Sequence, residues 1–381
     1  MARRTIGKPR FYADLASYFK IKGYYESTST DNVVDRVTLA RTNKDSEKVW
    51  TLDPTLLKTF VMDRDAYNAN FAFNFASRLD TFNRQLHELV TNNSTSSDST
   101  GLYAAVLGHN FKSDDAVDFS NDQLRYHFSI LGNASSPEQS QQTIDIDGYQ
   151  TQVSNIKNYE GFSIPYSGYS IWDIGGFDMS IFQEGTQATG FALNILTDGS
   201  IFGDDCILKI GAISYGRWFE PEHAFEISGQ IETQYEGFKT TNTIGGNTLI
   251  NVDHLGVPNW GDLPAWTLEE QKGHDYNVGG STGRRVWNVG LSFMVDDTLF
   301  SNPNNHNKFF TYEEESDKYT FDHSMGSFFG LTMGGRIPFL FCPDTNADNK
   351  EFAKCIITKP PTYKQVTNNL FSTNFTLTEV Y

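Results

Sequence analysis

Apolar residues recur at every second position along much of this chain, and the pattern is clearest in its last hundred residues. Trp287, Val289, Leu291, Phe293 and Val295 alternate with polar or small neighbours, which predicts a strand carrying those five side chains on one face. Phe371, Thr373, Phe375, Leu377 and Glu379 repeat the pattern, with Thr376, Thr378 and Val380 on the other side. A strand there ties the C-terminal segment into a sheet. GGRIPFLFCPD (334–344) and KEFAKCIITK (350–359) read as strand, loop and strand.

Further strands are predicted from Asn70 to Phe75, where Phe71, Phe73 and Phe75 share a face, and in LYAAVLG (102–108), AVDFS (116–120), LRYHFSIL (124–131), TIDIDGYQTQV (143–153), FALNIL (191–196) and CILKIGAIS (206–214). Two segments carry a helical stripe instead. Phe11, Leu15, Tyr18 and Phe19 suit one or two helical turns stopped at Gly23, and Leu79, Phe82, Leu86 and Leu89 suit a short helix within 77–90. NNSTSSDST (92–100) and NASSPEQSQQ (133–142) are polar, low-complexity connections.

Many short strands divided by Gly, Asn, Asp and Ser clusters predict a mainly β protein. The expected architecture is two or more β-sandwich or jelly-roll domains with few short helices. At 381 residues the chain exceeds one comfortable core. It divides into an N-terminal arm and first β segment (1–100), a β-sandwich (101–215), a loop-rich insertion (216–282) and C-terminal strands that complete the sheet (283–381). No repeat of fixed period runs through it. With 30 Phe and 18 Tyr against a hydrophobic content of 38%, the cores are expected to be built from large rings.

Charge narrows the partners. A net −17 disfavours nonspecific nucleic-acid binding, which needs clustered Lys and Arg. Arg3, Arg4, Lys8 and Arg10 form a basic N-terminal stretch on this acidic chain, either an arm reaching a neighbouring copy or a solvated terminus. No long apolar run suggests a membrane span, and no apolar segment follows the basic start as a secretory signal requires, so synthesis in a cytoplasm is expected. Cys206, Cys342 and Cys355 lack zinc-site spacing. Cys342 and Cys355 flank a loop and could face each other across a hairpin, but in a reducing cytoplasm they are expected as buried thiols.

Motifs of enzyme chemistry are missing. GTQATG (185–190) continues into Phe191 where a phosphate loop needs Lys, and GGSTG (279–283) precedes a strand where pyrophosphate binding needs a helix N-terminus. Asp344, Asn346 and Asp348 match the first three ligand positions of a calcium loop. The following Asn349 and Cys355 stand where that loop needs Gly and a bidentate Glu, so a solvated hairpin loop is expected. The eight histidines are scattered. No catalytic residue, metal site or cofactor is assigned, and the chain is read as a non-enzyme. Trp218, Trp260 and Trp266 lie in Gly/Pro-rich stretches. Such loop aromatics anchor a subunit interface, stack on a sugar, or fold back to bury themselves.

The order of LKIGAISYGRW (208–218), KTTNTIGG (239–246), GRRVW (283–287), MGGRIPF (333–339) and FTLTEVY (375–381) resembles virion structural proteins of marine and cyanobacterial tailed phages, found among tail and baseplate genes. AVLGHN (105–110) is similar to a strand end of their galactose-binding-like β-sandwich. The resemblance covers roughly 102–381. It implies a structural subunit of the tail tip or baseplate, assembled as a ring or wedge in the virion with copies of itself and other tail proteins. The alternative is a receptor- or glycan-binding module on the particle exterior that takes a host surface glycan. The interface residues expected are Arg3, Arg4, Arg10, Arg217, Trp218, Trp260 and Trp266.

Overall fold

The computed structural model describes residues 7–23, 25–26, 58–61, 69–77, 100–109, 124–133, 142–147, 156–158, 168–174, 187–197, 207–226, 230–234, 238–252, 284–300, 310–313, 318–346 and 352–380. These form a mainly β protein with a large antiparallel sheet and few helices. In chain order the elements begin with β1 (Arg10–Asp14), α1 (Leu15–Ile21), β2 (Tyr25–Glu26), β3 (Lys58–Val61), β4 (Ala69–Ser77), β5 (Thr100–His109), β6 (Leu124–Asn133), β7 (Gln142–Asp147), β8 (Ile156–Asn158), β9 (Gly168–Ile174) and β10 (Gln187–Thr197). They continue with β11 (Ile207–Ile210), β12 (Ala212–Phe219), β13 (Gln230–Gln234), β14 (Phe238–Asn242), β15 (Thr248–Val252), β16 (Arg284–Val295) and α2 (Asp296–Leu299). The last are β17 (Phe310–Glu313), β18 (Lys318–Phe321), α3 (Met325–Leu331), β19 (Phe339–Cys342), β20 (Ala353–Thr367) and β21 (Leu370–Glu379).

Ten strands make the main sheet, in the order β13-β16-β21-β20-β19-β1-β12-β5-β9-β8. A second sheet has the order β2-β4-β10-β6-β7. The four-part division of the sequence does not describe the main sheet, which takes strands from every part. β1 belongs to the supposed arm yet lies between β12 and β19, and β13 comes from the supposed loop-rich insertion.

β1 is central because it is apolar on both faces. Phe11 and Tyr12 point to opposite sides, and both are fully buried. On Phe11's side the register sets Phe219, Phe11 and Phe341 across three neighbouring strands. The Phe11 ring lies 5.2 Å from Phe328 of α3, 5.2 Å from Phe341 and 5.9 Å from Phe375. On the opposite side Tyr12 meets Tyr103 edge-on at 5.0 Å, amid Ala105, Leu107, Leu340 and Phe352. The expectation of cores made of rings holds on the first face, where Phe11 touches Phe328, Phe339, Phe341 and Phe375.

The helix over 11–22 starts later than its stripe suggests. Phe11 is in β1, and Asp14 caps α1 by accepting from Ser17 N–H at 2.9 Å. Gly23, at φ +73, ends the helix as expected. Residues 78–90, 92–99 and 116–120 lie outside the described residues. α3 carries no expectation from the sequence. Its exit runs through Met333, Gly334 and Gly335, all at positive φ, and a Cβ on Gly335 would overlap Ile357.

Candidate functional site

Asp14, Ser214 and Tyr103 form the constellation nearest to catalytic chemistry. Ser214 Oγ donates to Asp14 Oδ1 at 2.9 Å, and Tyr103 Oη stands 2.8 Å from Ser214 Oγ. Because the serine proton faces Asp14, the tyrosine hydroxyl is the donor to Ser214. All three are sealed in, at 2%, 0% and 0% exposure, so no substrate reaches them. Burial pushes the Asp14 carboxyl above its usual value, against the opposing pull of the bonds from Ser17 and Ser214. The trio therefore fastens α1 to β5 and β12.

The expected interface residues divide three ways. Arg3, Arg4, Trp260 and Trp266 lie outside the described residues. Arg10 does not reach away from the fold. Its guanidinium donates to Glu220 Oε2 at 2.6 and 3.1 Å and covers the Trp218 ring at 3.9 Å, while Lys8 Nζ lies 3.7 Å from Glu220. Trp218 is thus a half-buried strand residue of β12, not a loop aromatic, and its indole packs on Gly101. Arg217 is buried at 1% exposure, its guanidinium 4.0 Å above the Phe321 ring. Strand alternation explains the split, since neighbours on β12 face opposite sides. As the fold stands, Arg217 offers no surface to a partner.

The calcium-like loop has another use. Asp344 Oδ1 accepts from Gly7 N–H and Asn346 N–H at 2.9 Å each, and the Lys8 carbonyl accepts from Thr345 N–H and Oγ1. The loop clamps the segment leading into β1, and Asp348 lies outside the described residues. Cys342 and Cys355 are buried thiols. The β19–β20 register pairs Cys355 with Phe339, well off Cys342. Burial, with Glu379 nearby, pushes the Cys355 thiol well above its usual value. Among the described residues no three His, Cys, Asp or Glu side chains gather as metal ligands, and no helix is long and apolar enough to cross a membrane.

Two exposed surfaces stand out instead. β14 and β15 form a two-stranded ribbon that pairs with no other described strand. Its three-residue loop closes with Thr243 N–H to the Asn247 carbonyl at 2.8 Å and Gly246 at φ +82. Ile244, Leu249 and Ile250 are 110%, 58% and 64% exposed. KTTNTIGG, noted in the sequence only for its resemblance, supplies part of this ribbon.

The second surface is where β16, β21 and β20 run together. Trp287, Val289 and Leu291 are buried as their alternation predicts, but a bulge after Leu291 breaks the face. Phe293 adopts φ +60 and is turned out, Met294 takes the core position at 0%, and Val295 is exposed. The single face expected for all five apolar residues is corrected by that bulge.

No family model, curated protein or solved structure matches the chain.

Proposed function

We propose that the chain is a non-enzymatic structural subunit of a tailed-phage virion. In this reading it is made in the host cytoplasm and built into the tail tip or baseplate as a ring or wedge component. It contacts copies of itself and other tail proteins, and its antiparallel sheets are layers of sandwich or jelly-roll domains. The β14–β15 ribbon is the observation that carries the assembly role. An isolated two-stranded ribbon is marginal in water, and its Ile244, Leu249 and Ile250 lie in solvent. Packing on an adjacent subunit would supply the missing cover, in a heterologous contact that closes a ring when the rotation fits. The phage setting rests on the sequence resemblance. A galactose-binding-like topology for 101–215 would be a likeness of fold and would not confer sugar binding.

The test is a phage carrying Ile244→Asp with Ile250→Asp, with the purified variant checked for native unfolding behaviour. The expected result is a folded protein and few intact particles. Normal particles with normal infectivity refute the reading. Intact particles that fail to adsorb favour the receptor- or glycan-binding alternative, which Trp260→Ala and Trp266→Ala would then localise.

A further inference from the structure

Two open strand edges among the described residues are built differently. Past Ile357, whose N–H goes to the Gly335 carbonyl, no described strand pairs with the far side of β20. That stretch carries Lys359, Pro360, Pro361 and Lys364, and its register with β21 shifts three times. Prolines, lysines and bulges keep an open edge from pairing with another chain. The β14–β15 ribbon lacks such guards along β15. Residues 238–252 hold no proline and a single charge, Lys239 on β14. The ladder runs without a shift from Phe238 opposite Val252 to Asn242 opposite Thr248, and residues 244–250 are all exposed.

Hydrogen bonding fixes which groups β15 offers at its edge. Thr243 N–H donates to the Asn247 carbonyl at 2.8 Å, and bonded pairs alternate from there, Thr241 with Leu249 and Lys239 with Asn251. Thr248, Ile250 and Val252 therefore turn their N–H and C=O groups away from β14. We infer that this edge pairs antiparallel with the same edge of a second copy of the chain, about a two-fold axis at Ile250. In that register Ile250 exchanges both N–H···O bonds with Ile250 of the second copy. Thr248 does the same with Val252, in each direction, so every outward group of β15 is matched. A slip of one residue sets Ile250 against Leu249, whose groups Thr241 already holds. A slip of two leaves an outward residue unpaired on each copy. Copies of a chain with net charge −17 repel one another, and β15 brings no charge to the contact. The product is a four-stranded sheet in place of a ribbon that is marginal alone, with Ile250 beside its counterpart. The inference rests on the assembly reading and deepens it. The edge goes to a two-fold partner, and the faces of the ribbon stay open to a neighbour in the ring.

Sedimentation velocity of the full chain, up to its solubility limit, tests the pairing. The wild type is expected to form dimers. Ile250→Pro is the decisive variant, because it removes an N–H that bonds nothing within the ribbon and blocks the centre of the edge. It is expected to raise the dissociation constant about tenfold or more. Thr240→Pro is its matched control, since Thr240 stands opposite Ile250 with its N–H turned to the other edge. That variant should leave the dissociation constant within about threefold of wild type. Ile250→Cys reads the register without a proline. Directly opposed residues of a bonded pair have Cα atoms about 5.5 Å apart, within disulfide reach, so mild oxidation should link two chains. Thr240→Cys and the wild type should stay unlinked. A monomer at every concentration overturns the inference. So does association that Ile250→Pro leaves unmoved or that Thr240→Pro weakens equally, or an Ile250→Cys chain that does not cross-link. A wild-type monomer that is nevertheless found in particles removes this contact and leaves the virion reading standing. An edge-paired dimer that never enters particles does the reverse.

Discussion

Replacing Asp14 by alanine removes two hydrogen bonds, one of them buried, in one step. The first is the α1 cap to Ser17 N–H, a type of contact whose loss costs about 1 kcal/mol. The second is the acceptor for Ser214, whose hydroxyl is then buried without its partner, at about 1–3 kcal/mol. Relief from burying a carboxyl offsets part of this, leaving an expected net loss of about 2–3 kcal/mol. Asp14→Asn keeps the shape and one acceptor oxygen and should cost about half as much. Because the native carboxyl holds its proton more tightly than the unfolded one, the native state binds more protons over that interval. Stability contributed by this group is therefore greatest at acid pH and falls as pH rises from the usual aspartate value through the raised one. Asp14→Asn should flatten that slope. Urea unfolding followed by tryptophan fluorescence, with Ser214→Ala completing a double-mutant cycle, gives every term. An Asp14→Ala loss below about 0.5 kcal/mol, or a coupling to Ser214 of zero, would refute the account.

Gly216 faces the Ala13 carbonyl across the β1–β12 ladder, and an added Cβ would overlap that oxygen. Gly216→Ala should therefore destabilise by about 2–3 kcal/mol, read as a lowered thermal midpoint. Glu379 grips Arg285 with both oxygens, at 2.7 and 2.9 Å, beside the β16–β21 seam. Glu379→Gln should cost about 2 kcal/mol in denaturant unfolding, with little recovery in salt because the carboxylate is buried.

Strands were legible wherever one face is buried and the other wet. β21 follows its alternation, with Thr373, Phe375, Leu377 and Glu379 inside. Phe11 was misassigned because it also satisfied a helical stripe, and only pairing with Phe219 and Phe341 decides between the periods. Phe293 and Val295 were assigned to the core because a bulge leaves no mark in a period-two pattern. The buried trio gave a weak signal at best. Asp14 before an apolar run is an N-cap signature, but nothing links it to Ser214 two hundred residues on. Arg217 and Trp218 were grouped as neighbours in sequence, although adjacent residues of a strand serve opposite sides.

The position of β1 has a bearing on how this protein is made. Its two ladder partners are β12, near the middle of the chain, and β19, close to the far end. During translation β1 has no ladder partner until β12 emerges, and its second edge stays open until β19 has left the ribosome. Closure of the main sheet is thus a late event with very distant contacts, which favours slow maturation and dependence on chaperones.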